Sequence, residues 1–436
     1  MKPINVGLLG AGTVGGGTFR VLQRNSEEIS RRAGCAIRIA VVADKDVVRA
    51  KAVAADAARV TADAFEVVND PQIDVVVELI GGYTIAKDLM LKAIANGKHV
   101  VTANKALLAL HGNEIFSAAR KQGVMVAFEA AVGGGIPIIK SLREGLTANR
   151  IEWIAGIING TSNFILSEMR ARGAAFADVL KQAQSKGYAE ADPTFDIEGV
   201  DAAHKLAIMA AIGFGIPVQF DKAYVEGISK LAQQDIRYAE ELGYRIKLLG
   251  IAKRKAAGFE LRVHPTLIPA RQLIANVEGV MNAILVKGDA VGQTMYYGAG
   301  AGAEPTASAV VADLVDVARA LTADPEHRVP HLAFQHDQLS NVPILPMGEV
   351  ETSYYLRLRV ADKAGVLADI TRILADQAIS IEALVQKEPD AGEEYVDIIL
   401  LTHLTREKKI DAAIRSIEAL PVVSGKITRI RMEALQ

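Results

Sequence analysis

The run Ile4-Asn5-Val6-Gly7-Leu8-Leu9 leads directly into Gly10-Ala11-Gly12-Thr13-Val14-Gly15 and then into a helical pattern through about Arg31. Strand, glycine turn and helix in this order are what a dinucleotide-binding unit requires. Gly10 permits the tight turn, Gly12 lets backbone approach a pyrophosphate, and Gly15 allows close helix packing. The helix start at Thr13 and Val14 favours the negative charge. Ala36 to Ala43 forms the second strand, and Asp44 at its end is placed to accept hydrogen bonds from an adenosine ribose. Lys45 beside it suits the 2′-phosphate of NADP, so the pair leaves NAD and NADP both open. Asp44-Lys45-Asp46 also reads as a solvated turn.

Alternating strand and helix patterns continue through Asp74 to Glu78, the helix after Gly82, His99 to Thr102, and Val124 to Phe128. That alternation predicts an α/β, doubly wound Rossmann-type domain over residues 1–137. A strand at Ile151 to Ile158 and several helices between Ser162 and Leu249 follow. Strand runs at Leu261 to Leu267, Ala283 to Lys287 and Ala290 to Tyr297 then predict an α+β substrate and dimerisation domain with an antiparallel sheet over 138–303. An alanine-rich helix over 304–321 is expected to return to the first domain.

Prolines 325, 330, 343 and 346 mark 323–350 as a linker. Beyond it, Tyr354, Leu356, Leu358 and Val360 alternate with Tyr355, Arg357 and Arg359, which predicts a strand with one wet face. The later elements complete the order βαββαβ, a ferredoxin-like module over 351–436.

At 436 residues the chain calls for two or three domains, and with half of them hydrophobic, burial is not limiting. A net charge of -2 without basic runs argues against nucleic acid or an anionic membrane as partner. No apolar segment reaches bilayer length, and no signal-peptide pattern precedes the first strand. The expectation is a cytoplasmic protein that handles small molecules. A single cysteine, Cys35, rules out an intrachain disulfide and a cysteine-based zinc site. Its place between the first helix and second strand disfavours thioester chemistry.

Candidate chemistry clusters elsewhere. Asp201 precedes Lys205 by four residues on a helix otherwise built of alanine, leucine, isoleucine and methionine, so the pair is expected where burial tunes a lysine for proton transfer. An ordinary surface ion pair is the competing account. Lys105 follows Thr102-Ala103-Asn104 at the carboxyl end of a strand, the edge where open sheets bind ligands. In Phe128 to Pro137, Glu129 and the carbonyls of Val132, Gly134 and Ile136 would suit a hard cation if the segment is extended; a glycine-rich hinge explains the same residues. His111 and His204 are rival acid/base candidates without a carboxylate spaced as Asp201 is from Lys205.

Taken together, the glycine turn, Thr102-Ala103-Asn104-Lys105, Glu129 to Pro137, Asn159-Gly160-Thr161-Ser162-Asn163, Gly187-Tyr188-Ala189-Glu190-Ala191-Asp192-Pro193 and Asp201-x-x-x-Lys205 resemble homoserine dehydrogenase. The C-terminal module resembles an ACT domain. The resemblance implies NAD(P)-dependent interconversion of L-homoserine and L-aspartate 4-semialdehyde, a step toward threonine, methionine and isoleucine. It makes Lys205 the acid/base, Asp201 its orienting partner and a substrate ligand, and Lys105 a group at the nicotinamide end. Glu190 would hold the substrate amino group, with Asn159 and Gly187 at the substrate and Gly187 and Gly302 lining the cleft. Glu129, Val132, Gly134 and Ile136 match the family's structural sodium site. The turn at Asp362, Gly365, Val366 and Leu367 resembles an amino-acid-binding turn. Because Gly365 follows a strand and opens a helix, feedback by L-threonine is expected there. A homodimer or homotetramer is also implied. Another Rossmann-fold reductase of amino-acid metabolism, or a non-catalytic nucleotide and amino-acid sensor, remains an alternative on the sequence.

Overall fold

The computed structural model describes residues 3–321, 328–386 and 393–435. The start of the proline-bearing connection, 322–327, lies outside the described residues, as do 1–2, 387–392 and 436.

Six parallel strands make the N-terminal sheet, in the order Arg59–Thr61, Ile37–Ala43, Ile4–Leu9, Val75–Glu78, His99–Thr102, Val126–Ala127. Its central strand Ile4–Leu9 is buried throughout, as expected of a sheet covered on both faces. Instead of one long helix to Arg31, the chain forms Thr13–Arg24 and Ser26–Ala33, with the break at Asn25. Helix Ala303–Ala320 packs on Thr13–Arg24, where a Cβ on Gly17 would stand 2.5 Å from the Ala303 carbonyl oxygen. Arg24 pairs with Glu304 through both terminal guanidinium nitrogens across this contact.

The second sheet differs from expectation in two ways. Tyr244–Lys255, which sequence patterning assigned to helix up to Leu249, is a strand paired along its whole length with Gly258–Pro269. Its leucines and lysines are good helix formers, but pairing on both sides overrides that preference. Moreover, the antiparallel sheet does not end with its own domain. Gly258–Pro269 pairs in parallel with Thr428–Met432 through Thr266↔Arg431 and Leu267↔Met432, so the C-terminal module continues one mixed sheet of eleven strands.

That continuity also corrects the wet face expected of strand Glu351–Ala361. Tyr355 is fully buried, and its hydroxyl donates to Asp235 at 3.1 Å. Arg357 donates to both oxygens of the same carboxylate, at 2.6 and 3.2 Å. The face that would be wet in an isolated module is covered by helix Gln233–Glu241, which carries Asp235.

Helix Val200–Phe214 lies between the second sheet and helix Lys105–Gln122. It is buried from Asp201 to Phe214, which explains its nearly uniform apolar composition. Gly199 and Gly215, both with left-handed backbone, close its two ends.

Candidate active site

The glycine turn opens its middle position to a ligand and closes the other two. A Cβ on Gly10 would lie 2.7 Å from the Leu79 carbonyl oxygen, and one on Gly15 would lie 1.9 Å from that of Gly10. Gly12 has open space instead. Helix Thr13–Arg24 carries no acidic residue in its first turn, so its positive end stays available to an anion.

Asp44 has its own donors: Ala11 N at 2.7 Å, Asp46 N at 2.9 Å, and Arg49 Nη2 at 2.9 and 3.0 Å to its two oxygens. Burial opposes its ionisation, yet the two amides and Arg49 prevail and hold the carboxyl below its usual range. Lys45 is exposed, while Arg49 is the cation that reaches Asp44. Sequence reasoning missed Arg49. Its place one turn into the helix capped by Asp46 was the available signal.

The loop after Val75–Glu78 is tied to the helix that bears Lys105. Glu78, fully buried, accepts from Thr102 Oγ1 at 2.7 Å and from Ile80 N and Gly81 N at 3.0 and 3.2 Å. Asn104 donates to the Gly82 carbonyl at 2.6 Å and caps the helix by accepting from Leu107 N at 3.1 Å. Lys105 therefore leaves a fixed helix start and reaches toward helix Val200–Phe214.

Its target is Asp201. Lys105 Nζ stands 3.2 Å from Asp201 Oδ1, and Lys205 Nζ stands 2.7 Å from Asp201 Oδ2. Lys205 also donates to the Ile158 carbonyl at 2.8 Å. Asn159 Nδ2 bridges Asp201 Oδ2 at 2.9 Å and Asp196 Oδ1 at 2.8 Å, while Asn159 Oδ1 caps helix Gly160–Arg172 through Ser162 N. The nitrogen of Lys205 is thus enclosed rather than turned to bulk solvent, with its side chain 11% exposed.

Charge tuning follows from that enclosure. Burial lowers the pKa of Lys205, Asp201 opposes the shift, and Lys105 reinforces it. Burial alone would raise Asp201, but Lys205 and then Lys105 hold it at about 2. Asp196 moves upward, through burial first and the Asp201 charge second. Asp196 is the other residue that sequence reasoning missed; it lies between Pro193 and Asp201, in the gap between two motifs already singled out.

The histidine rivals are placed differently. Burial drops His204 to about 4, and its ring packs against Phe220 and Phe195 at 4.3 and 5.4 Å. It is neutral at ordinary pH. His111 Nδ1 lies 4.0 Å from Glu114, outside the Asp201 cluster.

Glu190 and Gly187 are exposed on the segment bordering the cluster. The carbonyl of Glu190 accepts from Gln184 at 3.1 Å, and among the described residues its carboxylate is not hydrogen-bonded to Asp201 or Lys205. Gly302 opens helix Ala303–Ala320 at φ 124°.

The segment from Glu129 is not extended. Glu129–Ala131 is a turn of 3-10 helix, and Gly133 and Gly134 have φ of 76° and 55°, so alternate carbonyls do not line up as expected. Glu129 accepts from Ile139 N and Lys140 N, each at 2.8 Å, and the Ile136 carbonyl accepts from Ile138 N. Among the described residues, no hydrogen bond reaches the carbonyls of Val132 and Gly134. No group of three or more His, Cys, Asp or Glu side chains there is arranged to hold a metal. In the C-terminal module, Gly365 (φ 94°) opens helix Val366–Asp376, with Asp362 exposed before it, Val366 buried and Leu367 half-buried. Among the described residues no helix is long and apolar enough to cross a membrane.

Residues 10–129 match the NAD-binding domain of homoserine dehydrogenase, 137–315 match homoserine dehydrogenase itself, and 354–422 match the ACT domain. The chain is 64% identical to the homoserine dehydrogenase of Pseudomonas aeruginosa and 62% identical to that of Neisseria gonorrhoeae, each match covering 100% of both chains. A crystal structure of a homoserine dehydrogenase from Thiobacillus denitrificans superposes with a TM-score of 0.96 at 70% identity, covering 100% of this chain and 99% of that one. With a nucleotide sheet, a two-lysine cluster and an ACT module joined in one chain, the protein belongs to the homoserine dehydrogenase family, NAD(P)-dependent oxidoreductases acting on a CH–OH group.

Proposed function

We propose that Lys205 is the acid/base in the interconversion of L-homoserine and L-aspartate 4-semialdehyde. One observation carries the reading: two ammonium groups from different parts of the chain converge on one buried carboxylate. The nicotinamide, when bound, supplies or accepts the hydride. As the aldehyde carbon gains hydride its oxygen becomes an alkoxide, and Lys205 donates the proton that quenches it. In the oxidative direction neutral Lys205 takes that proton from the hydroxyl group. Lys105 adds positive charge beside the same oxygen. Asp201 orients Lys205, and Asn159 holds Asp201 and Asp196 in register.

Glu190 and Asp196 are assigned to the substrate amino group, with Gly187 at the cleft edge. Gly10, Gly12, Thr13, Val14, Gly15 and Gly302 are assigned to the cofactor backbone, and Asp44, Lys45 and Arg49 to its adenosine ribose or 2′-phosphate. Oxidation of L-homoserine against other 2-amino alcohols, with NAD and NADP in parallel, tests the assignment. Turnover of the other alcohols in place of homoserine would contradict it.

A sodium ion is proposed at Glu129, Val132, Gly134 and Ile136. Burial raises Glu129, and burial together with the Glu129 charge pushes neighbouring Asp313 up to about 8, so a cation there would favour the ionised form of both. The uncommitted carbonyls of Val132 and Gly134 suit a hard ion. Melting in sodium chloride against choline chloride should differ for the wild type and not for Glu129→Gln. We also assign L-threonine to the Asp362–Leu367 turn, which a threonine titration of activity tests. A homodimer or homotetramer, measured by sedimentation, completes the reading.

A further inference from the structure

Arg431 sits on the last strand of the C-terminal module and is 1% exposed. Its guanidinium ties the C-terminal module to the segment 224–226. On one side Nε donates to Glu407 Oε2 at 3.0 Å, at the start of helix Glu407–Glu418. On the other, Nη1 donates to Glu226 Oε2 at 2.7 Å and Nη2 to the Tyr224 hydroxyl at 2.9 Å, with the guanidinium 4.8 Å from the Tyr224 ring centre. Tyr224 itself donates to Glu226 at 2.7 Å, so the carboxylate is gripped twice.

Glu226 leads into a segment packed on the turn before helix Val200–Phe214. Its amide donates to the Val263 carbonyl at 2.8 Å. The next residue, Gly227, lies so close to the turn before the catalytic helix that a Cβ would meet the Ile197 carbonyl oxygen at 2.4 Å and Glu198 Cα at 2.5 Å. Ile228 N donates to the same Ile197 carbonyl at 2.8 Å. Gly199, which opens helix Val200–Phe214 at φ 83°, rests against Val225 and Val263. Asp196 precedes this turn and Asp201 follows it. The contacts therefore run without a gap from the C-terminal module to the two carboxylates that Asn159 bridges.

A buried ion pair is weak support for stability, because desolvation cancels much of its attraction; its better-attested contribution is fixing one arrangement among several. We propose that Arg431 is a positioning residue for the reaction, holding turn 197–199 through Glu226 so that Asp196 and Asp201 keep their places at Asn159. This proposal rests on the assignment of Asp201 and Lys205 given above.

The test uses the full chain with Arg431→Met, Arg431→Lys, Glu226→Gln and the Met/Gln double variant. Amide hydrogen exchange over 194–205 is read first, without ligand, followed by kcat, KM for homoserine and Kd for NADPH. Arg431→Met is expected to speed exchange at 194–205 and to lower kcat by about tenfold. The NADPH Kd should stay within about twofold, since the nucleotide sheet is a separate body. Glu226→Gln should reproduce the loss, the double variant should lose no more than the worse single one, and Arg431→Lys should restore most of kcat. Unchanged exchange in 194–205, unchanged kcat, or losses that multiply in the double variant would overturn the proposal. Should Arg431→Met fail to fold, Glu226→Gln decides, because the Glu226 side chain is one-third exposed. If the wild type does not oxidise homoserine, the assigned reaction falls while exchange still judges the link.

Discussion

Lys105 Nζ and Lys205 Nζ bind opposite oxygens of a single buried carboxylate, at 3.2 Å from Asp201 Oδ1 and 2.7 Å from Asp201 Oδ2. The two contacts act on Lys205 with opposite sign. Asp201 raises its pKa, whereas Lys105 lowers it, both on top of the lowering by burial.

That opposition gives a signed prediction. Homoserine oxidation needs neutral Lys205, so kcat should rise with pH through a group below the ordinary lysine value, and aldehyde reduction should fall through the same group. Asp201→Asn should move this limb to lower pH and Lys105→Met to higher pH. Rate profiles of the three proteins check it; shifts in the same direction would contradict the shared-carboxylate account.

Arg49 occupies the Asp44 carboxylate with half its own side chain exposed, which leaves it free to turn toward a 2′-phosphate. Arg49→Ala should lower kcat/KM with NADP by about tenfold or more, the scale of one charge-assisted hydrogen bond, and leave NAD nearly unaffected. Lys45→Ala should do less. Equal losses with both cofactors would remove the phosphate role.

Acid should weaken the fold through His99. Its Nδ1 accepts from Met125 N at 3.0 Å, and burial, reinforced by the Arg328 charge, drops it to about 4. The unfolded chain takes up a proton near 6.5 that the folded chain refuses, so this stability is complete above 6.5 and is lost as pH falls toward 4. The difference, 6.5 − 4 = 2.5, corresponds to on the order of 3 kcal/mol. Urea unfolding at pH 7 and pH 4.5 measures it, and His99→Asn should flatten the loss.

Much of this was legible in the chain because local rules and tertiary contacts agree there. Gly10, Gly12 and Gly15 mark a strand-turn-helix that spacing alone describes, and the apolar company of Lys205 signals its burial. Tyr244–Lys255 was illegible because leucine and lysine carry helical preference while its strand character comes from partners on both sides. Tyr355 and Arg357 looked solvent-facing because the carboxylate that covers them, Asp235, lies on a helix distant in sequence. The backbone after Glu129 was illegible for a third reason: two left-handed glycines turn its carbonyls away from strand alternation.

The shared sheet makes the C-terminal module part of the fold's closure. Arg262, 1% exposed, bonds Glu260 at 3.0 Å and is also paired with Glu433 from the chain end. Removing 351–436 uncovers the strand edge at Thr266 and Leu267 and strips that charge of a partner. Truncation after residue 350 should give aggregated protein by size-exclusion chromatography, and a monodisperse, active fragment would contradict this.

The most direct measurement is kcat for homoserine oxidation by Lys205→Ala, with NADPH affinity read on the same sample. A fall of about a hundredfold or more at unchanged affinity is expected of a lost acid/base group. Wild-type turnover by that variant would show that the proton travels by another route.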